Sequence, residues 1–358
     1  MANVDLGNAK RNKKDEFYTD YNVIQYEVNH YLEYDENVFK DKTILCPCDD
    51  PEWSNFTKFF AANFDFFGLK KLISTSYAPD SFKNKNHQFT FDDFLEGRTG
   101  KFDEKDPRGR KFILEHGANS TQRIDIDNLQ WDYLDGDGDF RSDEVKKLRD
   151  EADIIITNPP FSQFRDFLAW IIEAHKKFLI IGNINCITYK EVFPLIMQNK
   201  IWLGPSIHSG DREFRVPDDY PLEASGTRVD EHGNKFLRIK GVRWFTNLEH
   251  GLRHQPLRLM TLADNLRFSK HKYVRENGYP KYDNYDAIEV PYVDAIPDDY
   301  YEVMGVPITF LDKYCPEQYE ILGITELNSP FSNGIGKTDR PYINGNRMYS
   351  RILIMRKK

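Results

Sequence analysis

Asn158-Pro159-Pro160-Phe161 stands directly behind the apolar run Asp153-Ile154-Ile155-Ile156-Thr157. These residue types suit transfer to an exocyclic amino nitrogen on an aromatic ring, a poor nucleophile because its lone pair is delocalised into that ring. An Asn side-chain oxygen and the carbonyl of a following Pro both accept hydrogen bonds from the two amino protons, which favours a more tetrahedral nitrogen aimed at an electrophile. Two prolines hold those acceptors rigid. Phe161 offers a face for a base that has left its duplex stack. The competing reading is a strand end closed by a turn, since Asn-Pro and Pro-Pro punctuate chains whatever the function.

The flanking residues say what positions the tetrapeptide. The run before it is β-branched and apolar, as in a central parallel strand. After it, Phe164, Phe167, Leu168, Ile171 and Ile172 fall at helical spacing, and Phe178-Leu179-Ile180-Ile181 forms a second apolar run before Gly182. The motif therefore sits at the carboxyl end of a strand in a β-α-β unit, where open α/β sheets bind ligands. A second such unit precedes it. Thr43-Ile44-Leu45-Cys46 reads as a strand closed by Pro47 to Pro51, with Asp50 as a helix N-cap and Pro51 at the first helical position. That helix carries Phe56, Phe59, Phe60, Phe64 and Phe67 to Gly68, and Lys71 to Thr75 is the next strand. Alternating strands and helices predict an α/β fold with a mostly parallel sheet.

Residues 80 to 123 are polar and read as an excursion from the sheet. The core resumes from Trp131 to Phe140, followed by a charged helix to Asp150. Beyond Trp202 the alternation fades and a more antiparallel region is expected.

If an amino group is methylated, the donor is S-adenosylmethionine, with its pocket at the carboxyl ends of the first strands. The turn from Cys46 to Phe56 opens a helix whose free amides suit the donor's carboxylate, with Asp49, Asp50, Ser54 and Asn55 as candidates. It lacks a Gly-x-Gly, so helix capping without a ligand stays an alternative. Asp139 and Phe140 suit an adenine, the carboxylate accepting from its amino group and the ring covering its face, and a polar loop is the alternative. Tyr77, beyond the second strand, Phe17-Tyr18-Thr19, ahead of the first, and Cys46 and Asn158 at the two strand ends complete the cofactor candidates. Asp135, Asp137 and Asp139 alternate as in a calcium loop, but Phe140 and Lys146 stand where Gly and Glu are needed.

The chain has 358 residues, a formal net charge of −8 and four cysteines too scattered for a disulfide framework. The net charge excludes nonspecific attraction to nucleic acid over the whole surface. Contact with DNA must be local, and residues 228 to 275 hold eleven Lys or Arg against four acids. Arg253, Arg258, Arg267, Lys270, Lys272 and Arg275 are the candidate DNA-binding residues, while Tyr273, Tyr279, Tyr282 and Tyr285 offer stacking surfaces or the core of a small β-rich domain. With short apolar stretches and a polar average, the chain reads as a soluble cytoplasmic protein with no membrane partner.

The chain resembles the adenine-specific DNA methyltransferases of the EcoRI modification type over most of its length. The resemblance is carried by Asp15-Glu16-Phe17-Tyr18-Thr19, Cys48-Asp49-Asp50-Pro51 with Ser54-Asn55-Phe56, Asn158 to Phe161, Ser209 to Phe214, Arg243 to Asn247 and Gly305 to Asp312. It implies a Rossmann-like catalytic domain, S-adenosylmethionine as donor, and transfer to the amino nitrogen of an adenine flipped from double-stranded DNA. By the same resemblance Phe17 to Thr19 lie by the donor's methionine end, Asp139 and Phe140 hold its adenine, Asn158 and Pro159 accept from the target amino group, and Phe161 stacks on the base. The expected division is a catalytic domain over 1–250, with insertions near 80–123 and 206–240, and a partly β target-recognition region over 251–358. A monomer is expected, with a separately acting restriction endonuclease as a possible companion. The rival readings are an amino-methyltransferase acting on cytosine, RNA or protein glutamine, and a catalytically silent DNA-binding module.

Overall fold

A computed structural model of the chain describes residues 19–52, 54–78, 108–115, 129–208, 211–216, 226–325 and 340–358. The chain forms two compact units, Met1–Ile184 with Ser209–Leu248, and Asn185–His208 with Glu249–Lys358.

In the first unit, α1 (Tyr21–Tyr34) is capped by Asp20, whose side chain accepts from Asn22 N. Then follow β1 (Thr43–Pro47), α2 (Asn55–Ala62), α3 (Phe64–Phe67), β2 (Lys71–Thr75), β3 (Arg110–Glu115), β4 (Asp132–Tyr133), α4 (Asp143–Glu151), β5 (Ile154–Thr157), α5 (Phe164–Glu173) and β6 (Lys177–Asn183). The chain next contributes α6 (Phe193–Met197) and β7 (Trp202–Leu203) to the second unit, then returns for β8 (Asp211–Val216), β9 (Thr227–Val229), β10 (Lys235–Lys240) and β11 (Val242–Thr246).

The main sheet of this unit runs β4-β3-β2-β1-β5-β6-β11. Its centre, β2-β1-β5-β6, is parallel, and β3, β4 and β11 pair antiparallel. The unit is thus mixed α/β with a parallel core. Every residue of β1, β5 and β11 is buried, as strands covered on both faces require. Strands β8, β10 and β9 form a separate antiparallel sheet.

Three local departures from the sequence reading have physical causes. The helix after β1 begins at Asn55, because Ser54 caps it by accepting from Phe56 N and Thr57 N, while Asp50 and Pro51 belong to the preceding turn. That helix breaks at Asn63 into α2 and α3, although Phe56, Phe59, Phe60, Phe64 and Phe67 are all buried and Gly68 ends α3 at φ 62°. The third lies inside the polar stretch 80–123, where Arg110–Glu115 pairs with β2 along its whole length. Its apolar run Phe112-Ile113-Leu114 is flanked by Arg110 and Lys111 on one side and Glu115 on the other, and only one face of the strand is buried.

Beneath the tetrapeptide, α5 packs on the sheet through Phe164, whose ring lies 5.0 Å from that of Phe245. Gly182 makes room for both, since a Cβ there would come within 2.4 Å of Phe164 and 3.0 Å of Phe245. Gly182→Ala is expected to cost about 2 kcal/mol or more, as overpacking does in a closed core, read as a fall in thermal midpoint.

In the second unit, α7 (Leu262–Phe268), α8 (Lys272–Asn277), β12 (Ile288–Glu289), β13 (Met304–Val306), β14 (Tyr319–Ile324), β15 (Tyr342–Ile343), β16 (Asn346–Arg347) and β17 (Ile352–Arg356) follow β7. The sheet order is β12-β13-β17-β14, with β15 and β16 as a separate hairpin. Tyr282 and Tyr285 are core, packed with Ala287, Ile343 and Leu353. Gly305, at the head of one family-like segment, admits the Tyr282 ring, whose hydroxyl would lie 2.3 Å from a Cβ there. Among the described residues no helix is long and apolar enough to cross a membrane.

Candidate active site

The strand order places β1 between β2 on one side and β5 on the other. The chain connections diverge there, which opens a crevice at the carboxyl ends of β1 and β5. Asn158 follows β5 at that end and is 7% exposed. Its Nδ2 donates to Thr19 Oγ1 at 3.3 Å, and the Thr19 carbonyl accepts from Asn55 Nδ2 at 2.7 Å. Three residues far apart in sequence thus meet at one point, and the Asn158 side chain is tied to Thr19. Thr19 is itself buried. Phe17 and Tyr18 lie outside the described residues.

Pro159 and Pro160 are buried, and Phe161 opens a single 3-10 turn that leads into α5. The Pro160 carbonyl accepts from Gln163 N at 2.9 Å, which locks that turn. The Phe161 ring meets Phe214 of β8 edge to face at 6.5 Å. Phe214 is 3% exposed, so the last residue of the Ser209 to Phe214 segment props the tetrapeptide.

The turn after β1 is built without glycine. Cys48 takes φ 65°, the left-handed conformation that a glycine more often fills. Cys46 is fully buried, and burial, then the neighbouring Asp49, pushes its thiol up. Asp49 is 6% exposed, with Oδ1 accepting from Ser54 Oγ at 2.7 Å and Oδ2 in contact with Thr157 Oγ1 at 2.5 Å. Burial pushes this carboxyl up to about 7, against the lowering pull of the two hydroxyls. Asp50 pairs with Arg110 Nη1 at 3.1 Å, which Glu52 shares at 2.9 Å. Because Ser54 already takes the amides of Phe56 and Thr57, the start of α2 offers fewer free donors than the sequence implied.

Beyond β2, Tyr77 is half-buried and Ala78 N donates to the carbonyl of Asp137 at 2.8 Å, bringing the loop of Asp139 over the end of that strand. Gly138 permits this approach, with φ 79° and only 2.0 Å between a built Cβ and the carbonyl oxygen of Ser76. Asp139 holds Arg141 through Nε at 2.9 Å and Nη2 at 2.7 Å. Phe140 is 4% exposed, edge to face with Phe167 and Trp170, which makes it a wall of the hydrophobic core in this state.

Two hydroxyls escaped the sequence reading. Thr157 touches Asp49, and Thr75 at the end of β2 has a buried Oγ1 with no hydrogen-bond partner among the described residues. A strand-end threonine carries no motif signal, so only the parallel register could have exposed them.

Of the basic candidates, Arg258, Arg267, Lys270, Lys272 and Arg275 are exposed. Arg253 is 4% exposed, donates to Glu249 and Asn199, and lies 3.8 Å over the ring of Trp202, so it holds the second unit together. The Arg243 to Asn247 segment is structural too. Trp244 and Phe245 are fully buried, and Asn247 accepts from Phe178 N and donates to Lys176 O beside β6.

A mixed α/β sheet with a parallel core and an Asn-Pro-Pro-Phe turn at its switch point defines an amino-methyltransferase. The chain belongs to the family described as adenine-specific methyltransferase EcoRI, which matches residues 5–357. It is 42% identical to the type II methyltransferase M.EcoRI of Escherichia coli, over 99% of this chain and 96% of that one. It is also 34% identical to M.MgeORF184P of Mycoplasma genitalium, over 98% of each chain, and 33% identical to M.MpnI of Mycoplasma pneumoniae, over 98% and 97%. No solved structure matches significantly. The protein is therefore an adenine-specific DNA methyltransferase, and its family uses S-adenosylmethionine as methyl donor. The crevice fits such a donor, since it combines the tight Cys48 turn with the unsatisfied Thr75 hydroxyl, a polar atom in want of a ligand.

Proposed function

We propose that this enzyme methylates the amino nitrogen of an adenine flipped out of duplex DNA, as the modification half of a type II restriction-modification system. The observation that carries the reading is the meeting of Asn158, Thr19 and Asn55 at the carboxyl ends of β1 and β5. S-adenosylmethionine, when bound, supplies an electrophilic methyl group on a sulfonium. The backbone of the turn from Cys46 to Asn55, Tyr77 and the Asp139 loop would hold it, with Thr19 beside Asn158.

Asn158 Oδ1 and the Pro159 carbonyl accept the two amino protons of the target and draw its lone pair out of the ring. The amide can present Oδ1 to the base because its Nδ2 is held by Thr19. Phe161, backed by Phe214, stacks on the flipped base, and the displaced amino proton passes to solvent. Most of the acceleration then comes from alignment.

The second unit serves as the target-recognition region. Around α7 and α8, the exposed Arg267, Lys270, Lys272 and Arg275 stand among exposed Leu266, Phe268 and Tyr273, with Phe268 69% exposed. Cations interleaved with apolar rings suit a phosphate backbone and unstacked bases. Lys270 and Lys272 already pair with Asp294 and Glu276, whereas Arg258 and Arg267 form no ion pair among the described residues. Arg267→Ala is expected to lower the slope of log affinity against log salt by about 0.9, the release of one counterion. An unchanged slope in a DNA-binding titration removes it from the interface. The protein acts as a cytoplasmic monomer, with any cognate nuclease working separately.

Transfer of labelled methyl from S-adenosylmethionine to mixed-sequence duplex DNA tests the whole reading. Label recovered in N6-methyladenine is the expected result, and label in methylcytosine, or in RNA or protein alone, overturns it.

A further inference from the structure

The buried hydroxyls around Asp49 contain more oxygen contacts than an ionised carboxylate can satisfy. Thr157 Oγ1 touches both the Pro47 carbonyl and Asp49 Oδ2, the latter at 2.5 Å, yet it carries one proton. If the carboxyl is ionised, one of those close contacts sets lone pair against lone pair. If Oδ2 carries a proton, every group is satisfied in one direction. Asp49 Oδ2 then donates to Thr157, and Thr157 donates to the Pro47 carbonyl. The other oxygen, Oδ1, accepts from Ser54 Oγ, whose own lone pairs cap the start of α2.

The surroundings favour the same form. The guanidinium of Arg110 is engaged by Asp50 and Glu52, and no cation bonds Asp49 among the described residues. The other titratable groups facing it are the Cys46 thiol on β1 and the Asp50 carboxylate in the same turn, both unfavourable to a second negative charge. From β2 and α2 it meets neutral hydroxyls. Ser74 Oγ donates to the Asp49 carbonyl at 2.6 Å and contacts Thr57 Oγ1 at 2.5 Å.

We propose that Asp49 is a positioning residue that works as a neutral carboxylic acid, the hydrogen bond it donates to Thr157 tying the donor-side turn after β1 to the strand end that carries Asn158. Its two oxygens face protein, so it shapes the crevice through Thr157 and Ser54 and does not act as an ionised ligand. The effect on turnover rests on the role given above to Asn158, whereas the effect on stability does not.

The sign of the pH dependence follows from a folded-state carboxyl raised to about 7 from an ordinary value of 3.8. Between those values the folded protein keeps a proton that the unfolded chain has released, so this group lowers stability as pH rises through that window and adds nothing further above it. Asn at 49 is permanently neutral, can donate through Nδ2 to Thr157 and accept through Oδ1 from Ser54. The thermal midpoint of Asp49→Asn minus that of the wild type should therefore grow by roughly 5 °C between about pH 4 and pH 7, then level off. A gap that stays flat or shrinks means an ionised Asp49 and overturns the proposal.

Turnover supplies the second arm. Asp49→Ala and Thr157→Val are expected to lose about tenfold to a hundredfold in kcat through misplacement of Asn158. Asp49→Asn and Thr157→Ser should recover to within about threefold of wild type. Loss of donor binding in Asp49→Asn, measured by titration with S-adenosylmethionine, would make the carboxylate a charged ligand and sink the idea. If the midpoint gap behaves as stated but no variant alters transfer, the neutral carboxyl stands and the positioning role is overturned, whereas the role of Asn158 is judged by Asn158→Ala alone.

Discussion

Asn158→Ala should abolish methyl transfer, by on the order of 10²- to 10³-fold or more in kcat, and leave the affinity for S-adenosylmethionine within a few-fold of wild type. The magnitude is that of removing one preorganised polar partner from a site that excludes water. An amino group attached to adenine must rehybridise before it can attack, and the acceptor that favours this is worth most where charge develops. Ala also frees Thr19 Oγ1 from its 3.3 Å contact without disturbing the Asn55 bond to the Thr19 carbonyl, so the adjoining backbone keeps its place. Thr19→Val offers a graded comparison. It retains the acceptor on Asn158 but releases the amide that orients it, so a loss of about tenfold is expected. The check is single-turnover transfer alongside donor titration. A variant at 158 that still turns over normally would move the chemistry away from the tetrapeptide.

Much of this site is legible from residue order because it is built from strand ends. The parallel core needs apolar, β-branched runs, and these locate β5, β6 and the turn from Asn158 to Phe161 between them. Helical spacing likewise finds α5, in which Phe164, Phe167, Leu168 and Ile171 are buried. What the chain hides is local competition. Asp50-Pro51 has the types of a helix start, but a serine three residues further on captures two amides and moves the start to Asn55. Strand β3 has a short apolar run, Phe112 to Leu114, between charged residues inside a long polar stretch, so composition conceals a strand that its pairing with β2 and β4 defines. The basic residues divide by burial, which spacing does not encode. Arg253 and Arg267 look alike in sequence, yet one stacks on Trp202 inside the second unit and the other is exposed. Asp49 illustrates the same limit, for its neighbours Ser54 and Thr157 come from a later turn and another strand.

The largest expected loss of stability lies in the second unit, at Glu289. This carboxylate is 1% exposed and accepts from Arg351 Nε at 3.1 Å and Nη2 at 2.5 Å, while Tyr282 donates to its Oε2. Burial, then the Glu289 charge, raises the Tyr282 hydroxyl well above its usual range, so Tyr282 remains a donor at every pH the protein meets. Glu289→Ala removes both partners at once and leaves the Arg351 guanidinium, itself buried, without its carboxylate. Breaking a buried pair in this way costs about 3 to 5 kcal/mol, far more than the pair contributes net. Glu289→Gln should do less harm, since the amide oxygen still accepts from Arg351 or Tyr282. The double variant Glu289→Leu with Arg351→Met should recover most of the loss, because no charge is then left buried and alone. Denaturant titration of the wild type, Glu289→Leu, Arg351→Met and the double variant gives the cycle, and single variants within about 1 kcal/mol of wild type would mean that water reaches the pair. DNA affinity measured on the same proteins adds the functional step. If the second unit carries recognition, Glu289→Ala should lose DNA binding at temperatures where S-adenosylmethionine still binds, and the compensated double variant should regain it.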